Sequence, residues 1–406
     1  MRKDTVLVCG TADTKSAELR HLAAALRARG VTPVIVDLST ARSDRDFDIG
    51  LPELLAGSRD TPDAITKLDR GEAISRVSAA LKRYVLRLPE LRGIVAIGGS
   101  GGAALVLPAF SALPLAMPKV IVTTIPGHVH AMLPAMNDVV VLNAVTDLGG
   151  LNSISRRVLD GTAATVAALL ETASSAPHVG NGVAFSMFGV TTSCVTAMRA
   201  QLPAADEAFI FHAVGGCGDA FAKLAAFGGL SAIADITTTE ICDHLIGGVF
   251  PCDDERFAAA RQFKLPTLVS CGALDMVNFG PMDSVPPKFH GRLFHCHNVN
   301  VTLMRTTPDE CARIGAWIAN ELNRCEGPIV VLLPEGGVSA LDAPGGPFWD
   351  PVADGALFAA IEANLTRTPR RRVVRIAAGI NDPAFVAAAS RYLAEIRGEY
   401  VANAVA

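Results

Sequence analysis

Short apolar, β-branched runs alternate along the chain with longer stretches of 3.6-residue hydrophobic periodicity, and small or hydroxyl-bearing residues separate them. "DTVLVCG" predicts a strand that turns through "TADTKS" into the helix "AELRHLAAALRARG", with Gly30 as its stop. "VTPVIVDLS" follows as a second strand, and after a polar stretch over 40–70 comes the helix "DRGEAISRVSAALKRYVLRL". "GIVAIGGSGG", "KVIVTTIPG" and "DVVVLNAVTD" supply three more strands, and "NSISRRVLDGTAATVAALLETA" a closing helix. After "SSAPHVGNG", a small, polar stretch punctuated by proline and glycine, the pattern restarts. "VAFSMFGVTTSCVTAMRAQL", "AFIFHAVGGCGDAFAKLAAFGG", "SAIADITTTEICDHLIGG", "PTLVSCGALDM" and "PIVVLLPEGGVSAL" each open on a strand whose carboxyl end carries glycine or polar residues. The expectation is an α/β chain in two halves, 1–175 and 182–406. Each half is an open, mostly parallel sheet with helices on both faces, the second partly repeating the first.

Composition narrows this picture. Half of the 406 residues are hydrophobic, 19% are charged and 5% are aromatic, which suits small-residue helices packed closely on parallel sheets. The net charge is −4 and the one basic cluster, "RTPRRRVVR", reads as a solvated strand edge, so a nucleic-acid partner is not expected. The nine cysteines are scattered singly without a C-x-x-C pair, as in a reducing, cytoplasmic setting. Residues 93–118 lack charge, but Gly98, Gly99, Gly101, Gly102 and three prolines break them into strand, turn and helix, so no membrane span is expected.

Candidate chemistry sits at the strand ends, where open α/β sheets bind ligands. In "CGTADTKS", Thr11, Asp13, Thr14 and Lys15 stand where a strand enters a helix, offering hydroxyls, a cation and backbone N–H groups to an anion. Gly98, Gly99, Ser100, Gly101 and Gly102 repeat the arrangement, with little side chain to keep phosphate oxygens from the backbone. Asp37 ends the second strand roughly where dinucleotide-binding folds place a ribose-binding acid. Neither glycine spacing is a dinucleotide or P-loop fingerprint, so tight turns that bind nothing remain the competing reading. In the second half, His295 and His297 at i and i+2 share one face of a strand. With Asp275, Glu240 or Glu335 they form a candidate metal or acid–base set; otherwise they are hydrogen-bonded residues of a polar interface. Glu240 also fits a capping box begun by Thr237. Cys217, at a helix amino end, is a candidate low-pKa thiol or a buried bystander.

Taken in order, "GTADTK", "IVDLST", "DRGEAI", "IGGSGG", "PKVIVTT", "MFGVTT", "DITTTE", "GALDMVNFGP", "LMRTT", "PEGGVSALDAPG" and "IND" resemble one family across nearly the whole chain. It is that of the N-terminal ATP-binding domain of the tomato mosaic virus resistance protein and its bacterial homologues. The resemblance implies two Rossmann-like subdomains, a homodimer, and nucleotide binding in the first subdomain, with magnesium accompanying ATP. The plant member inhibits viral RNA replication by binding the replication protein. Two strand-end turns depart from the family pattern. "IPGHVH" places Pro126, His128 and His130 where small residues are usual, and "VGGCGDAF" replaces a differently built turn. Three readings follow. The first is a cytoplasmic ATP-binding protein. The second is a small-molecule enzyme whose site lies in the second half or between the halves. The third is a protein-interaction module.

Overall fold

The computed structural model describes residues 5–41, 47–134, 137–173, 181–226 and 228–405, in two compact units, Met1–Pro177 and His178–Ala406. Most of the "SSAPHVGNG" linker, 174–180, lies outside the described residues.

The first unit holds five strands: β1 (Thr5–Gly10), β2 (Thr32–Asp37), β3 (Leu91–Gly98), β4 (Lys119–Thr123) and β5 (Val140–Asn143). They form one parallel sheet in the order β2-β1-β3-β4-β5. Alternate side chains explain the continuous apolar runs. Leu7, Ile94, Ala96 and Ile121 pack under the helices Arg70–Val85 and Ser100–Ala112. Val6, Val8, Val95 and Val120 pack under the helices Ala12–Arg27 and Ser153–Ala173. A strand buried on both faces needs apolar residues at every position. The first crossover runs from β1 to β2 and the next returns past β1 to β3. Chain direction therefore reverses between β1 and β3, and the crevice at such a switch point is where open α/β sheets take ligands.

The second unit opens with β6 (Gly182–Met187), β7 (Glu207–His212), β8 (Leu230–Thr237) and β9 (Thr267–Gly272). A three-stranded antiparallel ribbon follows, of β10 (Met276–Phe279), β11 (Phe294–Asn298) and β12 (Val301–Arg305), in the order β10-β12-β11. The chain then returns to the main sheet as β13 (Ile329–Pro334) and β14 (Arg371–Ile376). The six-stranded parallel sheet reads β14-β13-β9-β8-β6-β7. Counted from β6 and leaving the ribbon aside, this is the first unit's order with one strand added. The arginine-rich run is the outer strand β14, where Arg372 pairs with Glu395, and Arg375 with Glu362 and Glu335.

The long "PEGGVSALDAPGGPFWDP" loop is packed upon itself. Val338 and Phe348 are buried, and a Cβ on Gly337 (φ +112°) would meet the Asp342 carbonyl oxygen at 1.6 Å. No helix among the described residues is long and apolar enough to cross a membrane.

The helices Pro308–Asn323 and Pro351–Asn364 approach so closely at Gly315 that an added Cβ would lie 2.5 Å from the Leu357 carbonyl oxygen. Gly315→Ala raises helix propensity by roughly 1 kcal/mol. Overpacking against backbone costs about 1–3 kcal/mol, and the clash wins. We expect a lower urea midpoint with an unchanged slope; an unchanged or higher midpoint would refute the close contact.

Candidate functional site

At the first unit's switch point, the turns after β1 and β3 line one cavity of about 460 Å³. Thr11, Asp13, Thr14 and Lys15 face it from one side and Gly98–Gly102 from the other; Thr40, Arg70, Ile74 and Leu105 complete the wall. The structure thus brings together nine of the sequence-derived residues and leaves out Asp37.

Asp37 braces the turn from behind. Parallel pairing sets it opposite Gly10, and its Oδ1 accepts from the Ala12 N–H at 2.9 Å and from the Ser39 N–H at 2.9 Å and hydroxyl at 2.5 Å. The Asp13 N–H donates to the Ser39 hydroxyl at 3.0 Å, while the Thr14 and Lys15 N–H groups donate to the Thr11 carbonyl. The amino end of the helix Ala12–Arg27 is therefore satisfied from within. That corrects the expectation of free backbone donors there; only side chains of this turn remain for a ligand. Among them, Lys15 Nζ reaches the Leu148 carbonyl at 3.3 Å, and the Thr11 and Thr14 hydroxyls share a 3.0 Å bond.

The helix Ser100–Ala112 differs. Its cap residue, Gly99, supplies no side-chain hydrogen bond, and the first N–H groups of a helix have no partner of their own. The glycines divide by role. A Cβ on Gly98 would sit 2.9 Å from Gly102 Cα, so packing requires glycine there. At Gly99 a Cβ would meet nothing nearer than the Thr124 hydroxyl at 3.5 Å, and φ is −87°. Neither packing nor backbone conformation demands glycine at 99.

Sequence reasoning missed four lining residues, Thr40, Arg70, Ile74 and Leu105, and Arg70 is the charged one among them. It begins the helix Arg70–Val85, and a Cβ on Gly101 would lie 3.4 Å from its Nη2. It belongs to "DRGEAI", but no local spacing ties that stretch to the glycine turn. Pro126, His128 and His130 lie in the short helix Pro126–Met132 and do not line the cavity.

The second-half candidates separate. Glu240 is fully buried, held by Arg256 Nε at 2.6 Å, and accepts from the Gly215 and Cys217 N–H groups. Arg256 also grips Asp235 with both terminal nitrogens, at 2.8 and 2.9 Å. A protein carboxylate thus stands at the amino end of the helix Cys217–Ala226, and Glu240 is not the partner of a Thr237 cap. Burial, then the nearby Glu240 charge, pushes the Cys217 thiol well up, contrary to a low-pKa thiol. Asp275 is buried; its Oδ2 accepts from the Ser339 hydroxyl at 2.8 Å, and its Oδ1 has no hydrogen-bond partner. Glu335 is exposed and pairs with Arg375 at 3.1 Å. His295 is half-buried on β11, edge-on to Phe348 with centroids 6.1 Å apart, while His297 is exposed. Among the described residues, no three His, Cys, Asp or Glu side chains gather as a metal would need.

Burial raises several carboxyls here: Asp275 to about 6, Asp243 to about 7, and Asp342, with Asp275 and Asp354 beside it, to about 8. A carboxyl raised above its unfolded value binds more protons folded than unfolded. Its stabilisation is fully present below the unfolded value and is lost as pH rises through the folded one. We expect the melting temperature to fall between about pH 5 and pH 8, and Asp243→Asn to flatten that slope. A midpoint that rises across this window would contradict the assignment.

Residues 4–175 match the N-terminal domain, and residues 181–397 the C-terminal domain, of what is described as an uncharacterised protein family, UPF0261. A UPF0261 protein of Rhizobium meliloti is 44% identical over 389 residues, 95% of this chain and 97% of that protein. The ToMV resistance protein Tm-1(GCR237) of Solanum lycopersicum is 38% identical over 410 residues, 94% of this chain and 54% of the tomato protein, so this chain spans about half its length. A UDP-N-acetylglucosamine 2-epimerase from Rickettsia bellii aligns over 98% of this chain and 97% of its own at 10% identity and a TM-score of 0.23, which bears on nothing further. The sequence matches cover both units and agree with each other: the chain belongs to the UPF0261 family.

Proposed function

We propose that the first unit binds a phosphorylated nucleotide of the ATP type, with a phosphate at the uncapped amino end of the helix Ser100–Ala112. The supporting observation is Gly99: it has room for a Cβ and an ordinary backbone conformation, yet carries none at the mouth of a helix whose first N–H groups lack a side-chain cap. Backbone donors at a helix end, aided by the macrodipole, suit an anion, and a bare glycine lets phosphate oxygens come within hydrogen-bonding range. Thr11, Thr14 and Lys15 add hydroxyls and a cation across the cavity.

Asp13 is the one carboxylate in the lining among the described residues. Magnesium is commonly held by one or two carboxylates together with substrate phosphates, and Asp13 fits that role. When bound, the ion would neutralise phosphate charge. The chain's own residues bind and orient the phosphates; nothing in the cavity is assigned to turnover. The ToMV resistance for which the tomato protein is named belongs to a chain about twice as long and is not carried over.

The test is calorimetric titration with ATP, with and without magnesium, on the protein and on Gly99→Val. A Cβ there meets only the Thr124 hydroxyl, at an ordinary 3.5 Å contact, so the melting temperature should hold within a few degrees while binding weakens roughly tenfold or more, the loss of about one charge-assisted hydrogen bond. Equal ATP affinity in Gly99→Val would remove the glycine turn from the site.

A further inference from the structure

We propose that the helix Arg70–Val85, and not the carboxyl end of β2, reads the ligand: Arg70 takes phosphate oxygens beside Gly101, and Ile74, one turn further on, packs against the organic part. This rests on the nucleotide reading above and extends it to the orientation of the ligand in the cleft.

Three observations carry it. First, the Asp37 carboxylate at the end of β2 is not open to a sugar. Asp37 is 6% exposed, its Oδ1 already accepts three hydrogen bonds from its own turn, and it is absent from the cavity wall. A dinucleotide-style ribose contact at that carboxylate would compete with the bonds that hold the first helix end. Second, the opposite wall offers a cation without a partner among the described residues. The acids around the start of the helix are engaged elsewhere. Asp60 and Glu72 both hold Arg76, at 2.7 and 2.9 Å, and Asp69 Oδ1 caps the helix by accepting from the Gly71 and Glu72 N–H groups. Among the described residues, no ion pair or hydrogen bond engages the Arg70 side chain, which stands over Gly101. A planar guanidinium with two free edges suits phosphate oxygens taken two at a time. Third, Ile74 and Leu105 are the two large apolar side chains in the lining. Leu105 is 1% exposed, which leaves Ile74 as the apolar surface on offer. Arg70 and Ile74 are spaced i and i+4, so one helix face presents charge and apolar surface in line. The Glu72–Arg76 pair occupies a different face of the same helix, which keeps its carboxylate from folding back onto Arg70.

Two probes separate the two contacts: ATP, and inorganic tripolyphosphate, which carries the phosphates without the organic part. Both are titrated into the protein, Arg70→Gln, Arg70→Lys and Ile74→Ala, with melting temperatures recorded for each. Arg70 is exposed, so its substitution leaves the fold intact. Arg70→Gln should weaken both probes about tenfold or more, the size of a lost charge-assisted hydrogen bond, and reduce the salt dependence of binding. Arg70→Lys should recover part of the affinity, since charge returns without the fork. Ile74→Ala should weaken ATP several-fold and leave tripolyphosphate unchanged; that second probe also reports whether the cavity survived the truncation. Arg70→Gln binding both probes as the unmodified protein does would overturn the proposal while leaving the nucleotide reading standing. So would Ile74→Ala weakening neither probe, or both equally. Binding of neither probe by the unmodified protein would overturn the nucleotide reading and this orientation with it.

Discussion

The Asp37 carboxylate, accepting from the Ala12 N–H and from Ser39, fixes which helix amino end of the first unit is left open. Two βα turns meet at the switch point, and each brings a helix amino end. The carboxylate fills one of them, supplied by the strand that parallel pairing places next door. Positive potential is thereby left at the other, the glycine turn, and the first turn becomes a rigid shelf that holds threonine hydroxyls and Lys15 toward the cavity. Any anion entering the cleft meets one backbone cradle and not two. On the reading proposed above, Arg70 beside that cradle is the side chain that selects the anion.

The second unit repeats the strand order but treats its polar groups in the opposite way. Glu240, clamped by Arg256, stands where an outside anion would stand at the helix Cys217–Ala226, and Asp235 completes the buried set. The two opposite charges and their hydrogen bonds offset a desolvation cost of several kcal/mol per ion only because the geometry is close. Likewise Asp275, Asp342 and Asp354 crowd around Arg305 at the ends of β9 and β13, with more negative charge than one guanidinium balances. Burial drives these carboxyls up toward neutrality, and the neighbouring carboxylates add to the rise. One half of the chain keeps a cleft open, and the other fills its strand ends with its own ions.

Much of this was legible in the sequence for a physical reason. A parallel strand buried on both faces must be a continuous apolar run, so "TVLVCG" or "IVVLLP" announces itself, and glycine or threonine marks its carboxyl end. The glycine turn and the threonine turn were found by the same logic, and the family resemblance was carried by the turn sequences. What was hidden depends on adjacency in space. Asp37 reads as a ribose acid until one knows that β1 and β2 pair with Gly10 opposite it. Arg70 is separated from Gly101 by a helix and a strand. The antiparallel ribbon escaped notice because β10 has only four residues, all buried, and shows no alternation. For Cys217 the structure chooses the buried bystander over the low-pKa thiol, because burial first, and then the Glu240 carboxylate at the helix end, raise the thiol.

The arginine-rich outer strand β14 has a consequence of another kind. A parallel sheet ends in a row of unpaired backbone groups, which any extended chain can join. On β14 the side chains at that margin are Arg372 and Arg375, each tied to glutamates of neighbouring segments. A strand arriving from another molecule would have to strip these charges of water and break the pairs before its backbone could bond. The run that reads in the sequence as a solvated strand edge is one, and its ion pairs make that edge costly to extend.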